Sequence, residues 1–176
     1  MIHIVLYRPE KPLNTGNIIR TCVAIGATLH IIGPLSFSIE DKDLKRAGLD
    51  YIDRLKLIYY SSYEDFDKEH HDKDIYYVTR YASTVYSSFD FSDCVHDYYL
   101  MFGRESTGIP HDILRKHPDR LLRIPMLPNT RSLNLSNCVA LVAFEALRQQ
   151  NFFNLSTSEA IKGEDFLERE GKKNEE

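Results

Sequence analysis

Three polar loops hold the residues of this chain that could do chemistry. The longest, residues 124–140 (IPMLPNTRSLNLSNCVA), leaves a short apolar segment and enters a helix that we predict to start near Ser132. The first amides of a helix lack intrahelical partners, so they can hold a polar or anionic ligand. The other two loops are NTGNIIR at 14–20 and FGRESTGIP at 102–110. Arg20 is predicted to fall one turn into the helix that follows the first of these, where it could face an anion.

Basic residues gather around these loops although the chain as a whole is acidic. The 176 residues carry a formal net charge of −4, which weakly disfavours a nucleic-acid partner. Residues 104–131 nevertheless hold six basic and three acidic side chains, a local excess that permits a phosphate-binding surface. Ordinary surface charge would explain the same counts.

Several other kinds of site are disfavoured. Adjacent His70 and His71 have no partners at metal-ligand spacing, and Cys22, Cys94 and Cys138 form no C-x-x-C pair, so no metal is expected. The sequence contains neither a P-loop nor a G-x-S-x-G elbow. The N-terminal residues MIHIVLYRPE lack a basic lead and a long apolar segment, so we expect a first strand and not a signal peptide. No apolar run approaches the ~20 residues that span a bilayer. We therefore expect a cytoplasmic protein with no membrane partner.

Alternating strands and helices are predicted to position the three loops. Near-continuous apolar runs such as IHIVLY and YYLMF suit strands that are covered on both faces of a sheet. Strands are predicted at 2–7, 28–32, 55–59, 74–79, 97–102 and 121–124, and helices at 15–25, 40–47, 63–70, 110–117 and 133–150. This alternation predicts an α/β fold, a parallel sheet with helices on both faces, whose sites lie where strands pass into helices.

Each loop also has a purely structural interpretation. Asn14 or Thr15 could simply cap the first helix, residues 102–110 could be a glycine-rich turn, and Ser132 could cap the last helix. Taken singly, these interpretations are favoured. Three polar loops at neighbouring strand ends, in a chain with no other candidate site, together favour a ligand site.

The three loops, in this order, resemble the three signature motifs of the SPOUT superfamily of RNA 2′-O-methyltransferases. The resemblance extends from Met1 to about Phe153. The opening IVLYRPEKPLNTGNIIRTC, with RAGLDY at 46–51, resembles the small single-domain subfamily that modifies cytidine or uridine at wobble position 34 of tRNA. The resemblance implies a methyltransferase domain over 1–154 with a C-terminal trefoil knot, which is a rare feature among folds. Residues 155–176 lose the periodic pattern and are expected to form a charged, flexible tail.

The resemblance also implies a cofactor and the residues around it. S-adenosyl-L-methionine, the methyl donor, would be held by Val78, Thr79, Gly103, Ile124, Met126, Ser132 and Leu133. Arg20, Glu105 and Asn134 match the family's catalytic and loop-organising residues. Because a guanidinium stays protonated in proteins, we expect Arg20 to bind the neighbouring phosphate and to stabilise negative charge on the ribose oxygen, not to act as a base.

A homodimer and a tRNA are the partners that the resemblance implies. A second subunit would cover the open side of the cofactor cleft, with Phe144 and Leu147 of the last helix in the interface. The anticodon stem-loop would lie on the dimer surface, with phosphate contacts from Arg8, Lys11, Arg104 and Arg131. Two alternatives stay open: a 2′-O-methyltransferase of ribosomal RNA or of another tRNA position, and a non-catalytic RNA-binding dimer.

Overall fold

The computed structural model of the protein describes residues 1–38 and 54–173. Its strands are β1 (Ile2–Tyr7), β2 (Thr28–Ile32), β3 (Leu57–Tyr60), β4 (Asp74–Val78), β5 (Tyr98–Phe102) and β6 (Leu121–Leu122). Its helices are α1 (Pro12–Ile25), α2 (Tyr63–His70), α3 (His111–Arg115), α4 (Leu135–Gln149) and α5 (Phe166–Lys173). The strands form one parallel sheet in the order β3-β2-β1-β5-β4-β6. The predicted α/β class with a parallel sheet is confirmed.

Helices cover both faces of the sheet because successive side chains of a strand point to opposite faces. On one face, Ile4 and Leu6 of β1 belong to a core that includes Ile18 of α1 and Val142 of α4. On the other face, Val5 lies in a second core with side chains from α2 and α3. Burial on both faces is the physical reason for the near-continuous apolar runs of the central strands.

The start of α1 differs from the prediction. The helix begins at Pro12 and not at residue 15, and its N-cap is Lys11, whose side chain makes no capping hydrogen bond. Proline is favoured at a first helical position because the amide that it lacks would be unpaired there. Asn14 and Thr15 therefore lie inside the first turn and are buried, so the interpretation of either one as the cap was wrong.

The start of α4 differs as well. The helix begins at Leu135, and its N-cap is Asn134, whose side-chain oxygen accepts from the amide of Ser136 at 2.9 Å. Ser132 lies three residues before the first helical residue, so the prediction of a helix start near Ser132 was wrong. Serine and asparagine both have a short side-chain acceptor that suits an N-cap. In the structure the cap is Asn134 and not Ser132.

The bounds of all six described strands agree with the predictions to within two residues. The predicted helix at 40–47 and the RAGLDY segment at 46–51 lie outside the described residues. Helix α5 lies within the segment 155–176, whose flexibility stays a prediction, as does the trefoil knot. Among the helices that the structure describes, none combines the length and the apolar character needed to cross a membrane.

A chain of hydrogen bonds between mostly buried side chains runs across the sheet face that α2 covers. His3 Nδ1 lies 3.0 Å from His30 Nε2, His30 Nδ1 lies 3.2 Å from Tyr60 Oη, and Tyr60 Oη lies 2.9 Å from His70 Nε2. Burial lowers the pKa of His30 from 6.5 to about 3, and it also lowers the pKa values of His3 and His70. The network is therefore a set of neutral imidazoles at physiological pH.

Acid should destabilise the protein through this network. Between pH 6.5 and 3 the unfolded chain binds a proton at residue 30 that the folded chain excludes, so the free energy of unfolding falls as pH falls. His30 alone should contribute a loss of about 2 kcal/mol between pH 7.5 and 5. Urea denaturation at several pH values measures this loss, and the variant His30→Gln should show a smaller slope. An equal slope in both proteins would contradict the assignment.

Candidate active site

The carboxyl edge of the sheet opens into a cleft of about 1050 Å³. Its walls come from the loops after β4, β5 and β6 and from the start of α1. Ligand sites in open α/β sheets lie at this edge, and the volume is that of a site for a small cofactor. The three loops singled out in the sequence therefore meet around one cavity.

All seven residues predicted to hold the cofactor line this cleft: Val78, Thr79, Gly103, Ile124, Met126, Ser132 and Leu133. Glu105 and Asn134 line it too. Ile124 and Met126 are half-buried, whereas the Leu133 side chain is 41% exposed and offers apolar surface at the mouth. The structure brings these residues together. Their contact with a cofactor stays a prediction.

Arg20 lies outside the lining that the described residues form. It stands on the exposed face of α1, more than two helical turns from the start at Pro12, so the prediction of one turn was wrong. Lys11 and Asn14, near the start of the same helix, do line the cleft. Arg20 follows Asn14 by six positions of helix, a distance of about 9 Å along the axis. Within one subunit, Arg20 is therefore not a wall of the cleft.

Glu105 ties the loop after β5 to the start of α1. One carboxylate oxygen accepts from the amide of Glu10 at 2.8 Å, and the other accepts from the amide of Lys11 at 3.2 Å and from Asn14 Nδ2 at 2.9 Å. The amides at a helix start are unpaired and partly positive, so a carboxylate there is stabilised on both counts. Glu105 thus holds two walls of the cleft together, and a direct part in the reaction stays a prediction.

Asn14 extends this connection to the third loop. Asn134 Nδ2 donates to Asn14 Oδ1 at 2.9 Å, while Asn134 Oδ1 accepts from the amide and the hydroxyl of Ser136 at 2.9 and 2.7 Å. One chain of hydrogen bonds therefore joins all three loops, through Asn14, Glu105 and Asn134. Sequence reasoning treated Asn14 only as a possible cap and missed its central position.

A second carboxylate, which the sequence analysis did not single out, joins the same two segments. It belongs to Glu10, just before α1, and it binds donors in the loop after β5. Glu10 accepts from Arg104 Nη2 at 2.6 Å and Nε at 3.1 Å, and from the amide and hydroxyl of Ser106 at 2.9 and 2.8 Å. The bonds from Ser106 and Arg104 hold the pKa of Glu10 below its usual value. Glu10 and Glu105 together form a reciprocal clasp between residues 10–14 and 104–106.

Gly103 is required by the geometry of its own loop. A Cβ at this position would lie 2.1 Å from the carbonyl carbon of Gly108 and 2.2 Å from the amide nitrogen of Ile109. The loop is closed by two backbone hydrogen bonds between Arg104 and Gly108, of 3.2 and 2.9 Å. Any side chain at Gly103 would therefore displace the loop backbone, whatever effect it had on a bound cofactor.

Cationic side chains outnumber carboxylates around the cleft. Four line it: Lys11, Arg80, Arg104 and Arg131. Glu105 is the one carboxylate among the described lining residues. Three of the four cations were predicted as phosphate contacts, whereas the predicted Arg8 is not part of the lining: its Nε donates to the carbonyl of Gly33 at 3.0 Å, and its guanidinium lies over the ring of Tyr7. Arg104 is paired with Glu10, so the positive lining rests mainly on Lys11, Arg80 and Arg131. A lining of this charge favours an RNA backbone.

Removing the charge of Glu105 should loosen this site. In Glu105→Gln an amide group would face amide donors, and the helix start would lose its counter-charge. We expect a loss of about 1–3 kcal/mol in the free energy of unfolding and weaker binding of S-adenosylmethionine. Urea denaturation and calorimetric titration measure the two effects. Glu164→Gln, at an exposed position, is the matched control, and equal stability of the two variants would contradict the clasp.

A comparison with known families decides what this site belongs to. The family described as the SpoU rRNA Methylase family matches residues 1–144, a span that includes all three loops. The chain belongs to this family. The resemblance identified from the three motifs is thereby confirmed.

Individual relatives extend the similarity over most of the chain. A Listeria monocytogenes protein with the provisional name tRNA (cytidine(34)-2′-O)-methyltransferase is 54% identical over 150 residues, 85% of this chain and 89% of the relative. A solved structure concerned with the 2-OH methylation of C/U34 on tRNA is 38% identical, with a TM-score of 0.80 over 86% of this chain and 97% of that one.

A third comparison bears on the cofactor. An AdoMet-bound rRNA methyltransferase from Sinorhizobium meliloti is 26% identical to this chain, with a TM-score of 0.75. The match covers 84% of this chain and 56% of the longer protein. The shared fold therefore includes a protein whose structure contains the methyl donor predicted from the sequence.

Proposed function

We propose that this protein is a tRNA 2′-O-methyltransferase that acts on the wobble nucleotide. It transfers a methyl group from S-adenosylmethionine to the ribose 2′-hydroxyl of cytidine or uridine 34 in the anticodon stem-loop. The similarity to a relative named for cytidine 34, 54% identical over 85% of this chain, carries the proposal. The positively lined cleft in which the three motifs meet is consistent with that reaction.

The cleft has the chemistry that S-adenosylmethionine requires. Ile124, Met126 and Leu133 offer apolar surface to the adenine, and the hydroxyls of Thr79 and Ser132 offer hydrogen bonds to the polar part. When bound, S-adenosylmethionine supplies a methyl carbon on a positively charged sulfur, the electrophile of the reaction. A cleft of about 1050 Å³ also leaves room for part of a target nucleotide.

The residues of the chain must align the ribose hydroxyl and help its proton to leave. Arg20 would bind the adjacent phosphate and stabilise the negative charge that develops on the oxygen, but a guanidinium cannot accept the proton. The carboxylate of Glu105 already accepts from three N–H donors, so it is not positioned to face the ribose hydroxyl. We propose that the proton leaves to a phosphate oxygen of the RNA or to water.

A homodimer is part of this proposal. The neighbouring helices α1 and α4 expose large apolar side chains, Leu13 on α1 with Leu141 and Phe144 on α4. Leu147, which was expected in the interface, is 5% exposed and packs in the core, so that expectation was wrong. Two subunits joined through α1 and α4 would cover these apolar side chains and would place Arg20 of one subunit at the cleft of its partner.

The modified atom identifies the reaction. Incubation of tRNA with the protein and S-adenosylmethionine should yield 2′-O-methylcytidine or 2′-O-methyluridine at nucleotide 34, read by mass spectrometry of nucleosides and of digestion fragments. An anticodon stem-loop with a 2′-deoxy nucleotide at this position should accept no methyl group, because the nucleophile is missing. A methyl group on a base, or on ribosomal RNA alone, would overturn the proposal.

A further inference from the structure

Tyr81 stands at the rim of the cleft, and the site described above does not use it. It follows β4 by three residues, lines the cleft and is 61% exposed. Since most of its ring stays in water, the fold gains little stability from it. A large aromatic ring that is exposed beside a substrate cleft is therefore available to a bound molecule.

The position of this ring is nevertheless held. The amide of Tyr81 donates to Thr79 Oγ1 at 3.3 Å, and the carbonyl of the preceding Arg80 accepts from the guanidinium of Arg123. The ring centroid lies 4.8 Å from that of His111, with the two planes at 82°, so the rings meet edge to face. A ring that is held in place while its surface stays open loses little conformational entropy when a planar group stacks on it.

The charges near Tyr81 favour nucleic acid as the molecule that stacks. The guanidinium carbon of Arg80 lies 6.0 Å from the ring centroid. Lys11 and Arg131 line the same cleft, as does Arg104, which is paired with Glu10. The carboxylate of Glu105 is already bound by N–H donors. Proteins that hold single-stranded RNA combine these two features, because cations neutralise phosphates and aromatic rings stack on unpaired bases.

We infer that Tyr81 is the stacking platform for an unpaired base next to wobble nucleotide 34, either nucleotide 33 or nucleotide 35. The inference rests on the proposed function. Bringing ribose 34 to the cleft disrupts the stacking of its base on the neighbouring bases. A ring at the rim restores part of that stacking and holds the loop while the hydroxyl is aligned.

Kinetics with an anticodon stem-loop test the role of the ring. Tyr81→Ala should raise KM for the RNA by about ten-fold or more, the usual effect of losing one base–aromatic stack, with unchanged affinity for S-adenosylmethionine. Tyr81→Phe keeps the ring and should stay within about two-fold of the original KM. Tyr59→Ala is the matched control, because Tyr59 is 48% exposed on β3 and does not line the cleft.

Stem-loops with an abasic nucleotide at 33 or at 35 complete a double-mutant cycle, with dissociation constants measured by fluorescence anisotropy. One of the two abasic stem-loops should bind the unaltered protein about ten-fold more weakly than the intact stem-loop does. In Tyr81→Ala the same missing base should cause no further loss of affinity, because the ring on which it would stack has already been removed. Equal losses in both proteins, or a parallel loss of affinity for S-adenosylmethionine, would overturn the inference. Failure of the unaltered protein to methylate any tRNA would instead overturn the proposed function, and the binding cycle would still decide the stacking.

Discussion

Replacing Arg20 by alanine should abolish methyl transfer while leaving the affinity for S-adenosylmethionine nearly unchanged. The guanidinium stabilises charge that develops on the ribose oxygen, and removing one such donor lowers kcat by about 100-fold to 1000-fold. The affinity should survive because the role proposed for Arg20 is contact with the phosphate and the ribose oxygen of the RNA, not with S-adenosylmethionine. Single-turnover methylation and calorimetric titration measure the two quantities separately.

Two further variants make this prediction specific. Arg20→Lys keeps the charge but loses the planar fork of donors, so its rate should fall between those of the original protein and the alanine variant. Arg115→Ala removes another exposed arginine, on α3, and should leave the rate unchanged. Full activity in Arg20→Ala, or a loss of cofactor affinity that matches the loss of rate, would contradict the role proposed for Arg20.

Mixing two inactive variants should restore activity if Arg20 acts in the cleft of the partner subunit. In a mixed dimer of Arg20→Ala with Leu133→Arg, one subunit has an intact cleft and its partner supplies an intact Arg20. One of the two sites is then whole. With free exchange of subunits in equal amounts, half of the dimers are mixed, so about a quarter of the original activity should return.

Leu133 suits this experiment better than Gly103 does. Its side chain is 41% exposed at the mouth of the cleft, so an arginine can be introduced there without burying a charge in the core. A Cβ at Gly103 would meet loop backbone within 2.2 Å, which would disturb folding as well as binding. Sedimentation of each variant should confirm that it still forms dimers.

A matched mixture guards against nonspecific rescue. Leu133→Arg mixed with Met126→Arg places both defects in the cleft, so each site of a mixed dimer stays broken and no activity should return. For the mixture with Arg20→Ala, subunit exchange can be verified by co-purification of differently tagged chains. An inactive mixture with verified exchange would refute the shared site.

The sequence by itself determined the architecture and the place of the site. The predicted bounds of β1 and β2, residues 2–7 and 28–32, are those of the structure. A strand that is buried on both faces is a continuous apolar run, and such a run can be recognised without knowing which strands pair with it. The seven predicted cofactor contacts line one cleft, because they lie in the motif loops and beside strand ends that a parallel sheet brings to one edge.

Only the tertiary structure decided which side chains meet. Asn14 and Asn134, 120 residues apart, share a hydrogen bond, and Glu10 bonds to Arg104 and Ser106 of the loop after β5. These contacts depend on the order in which β1, β5, β4 and β6 lie side by side, a non-local pairing that leaves no periodic signal in the chain. The same packing set Arg20 apart from the cleft of its own subunit, a position that the local motif does not reveal.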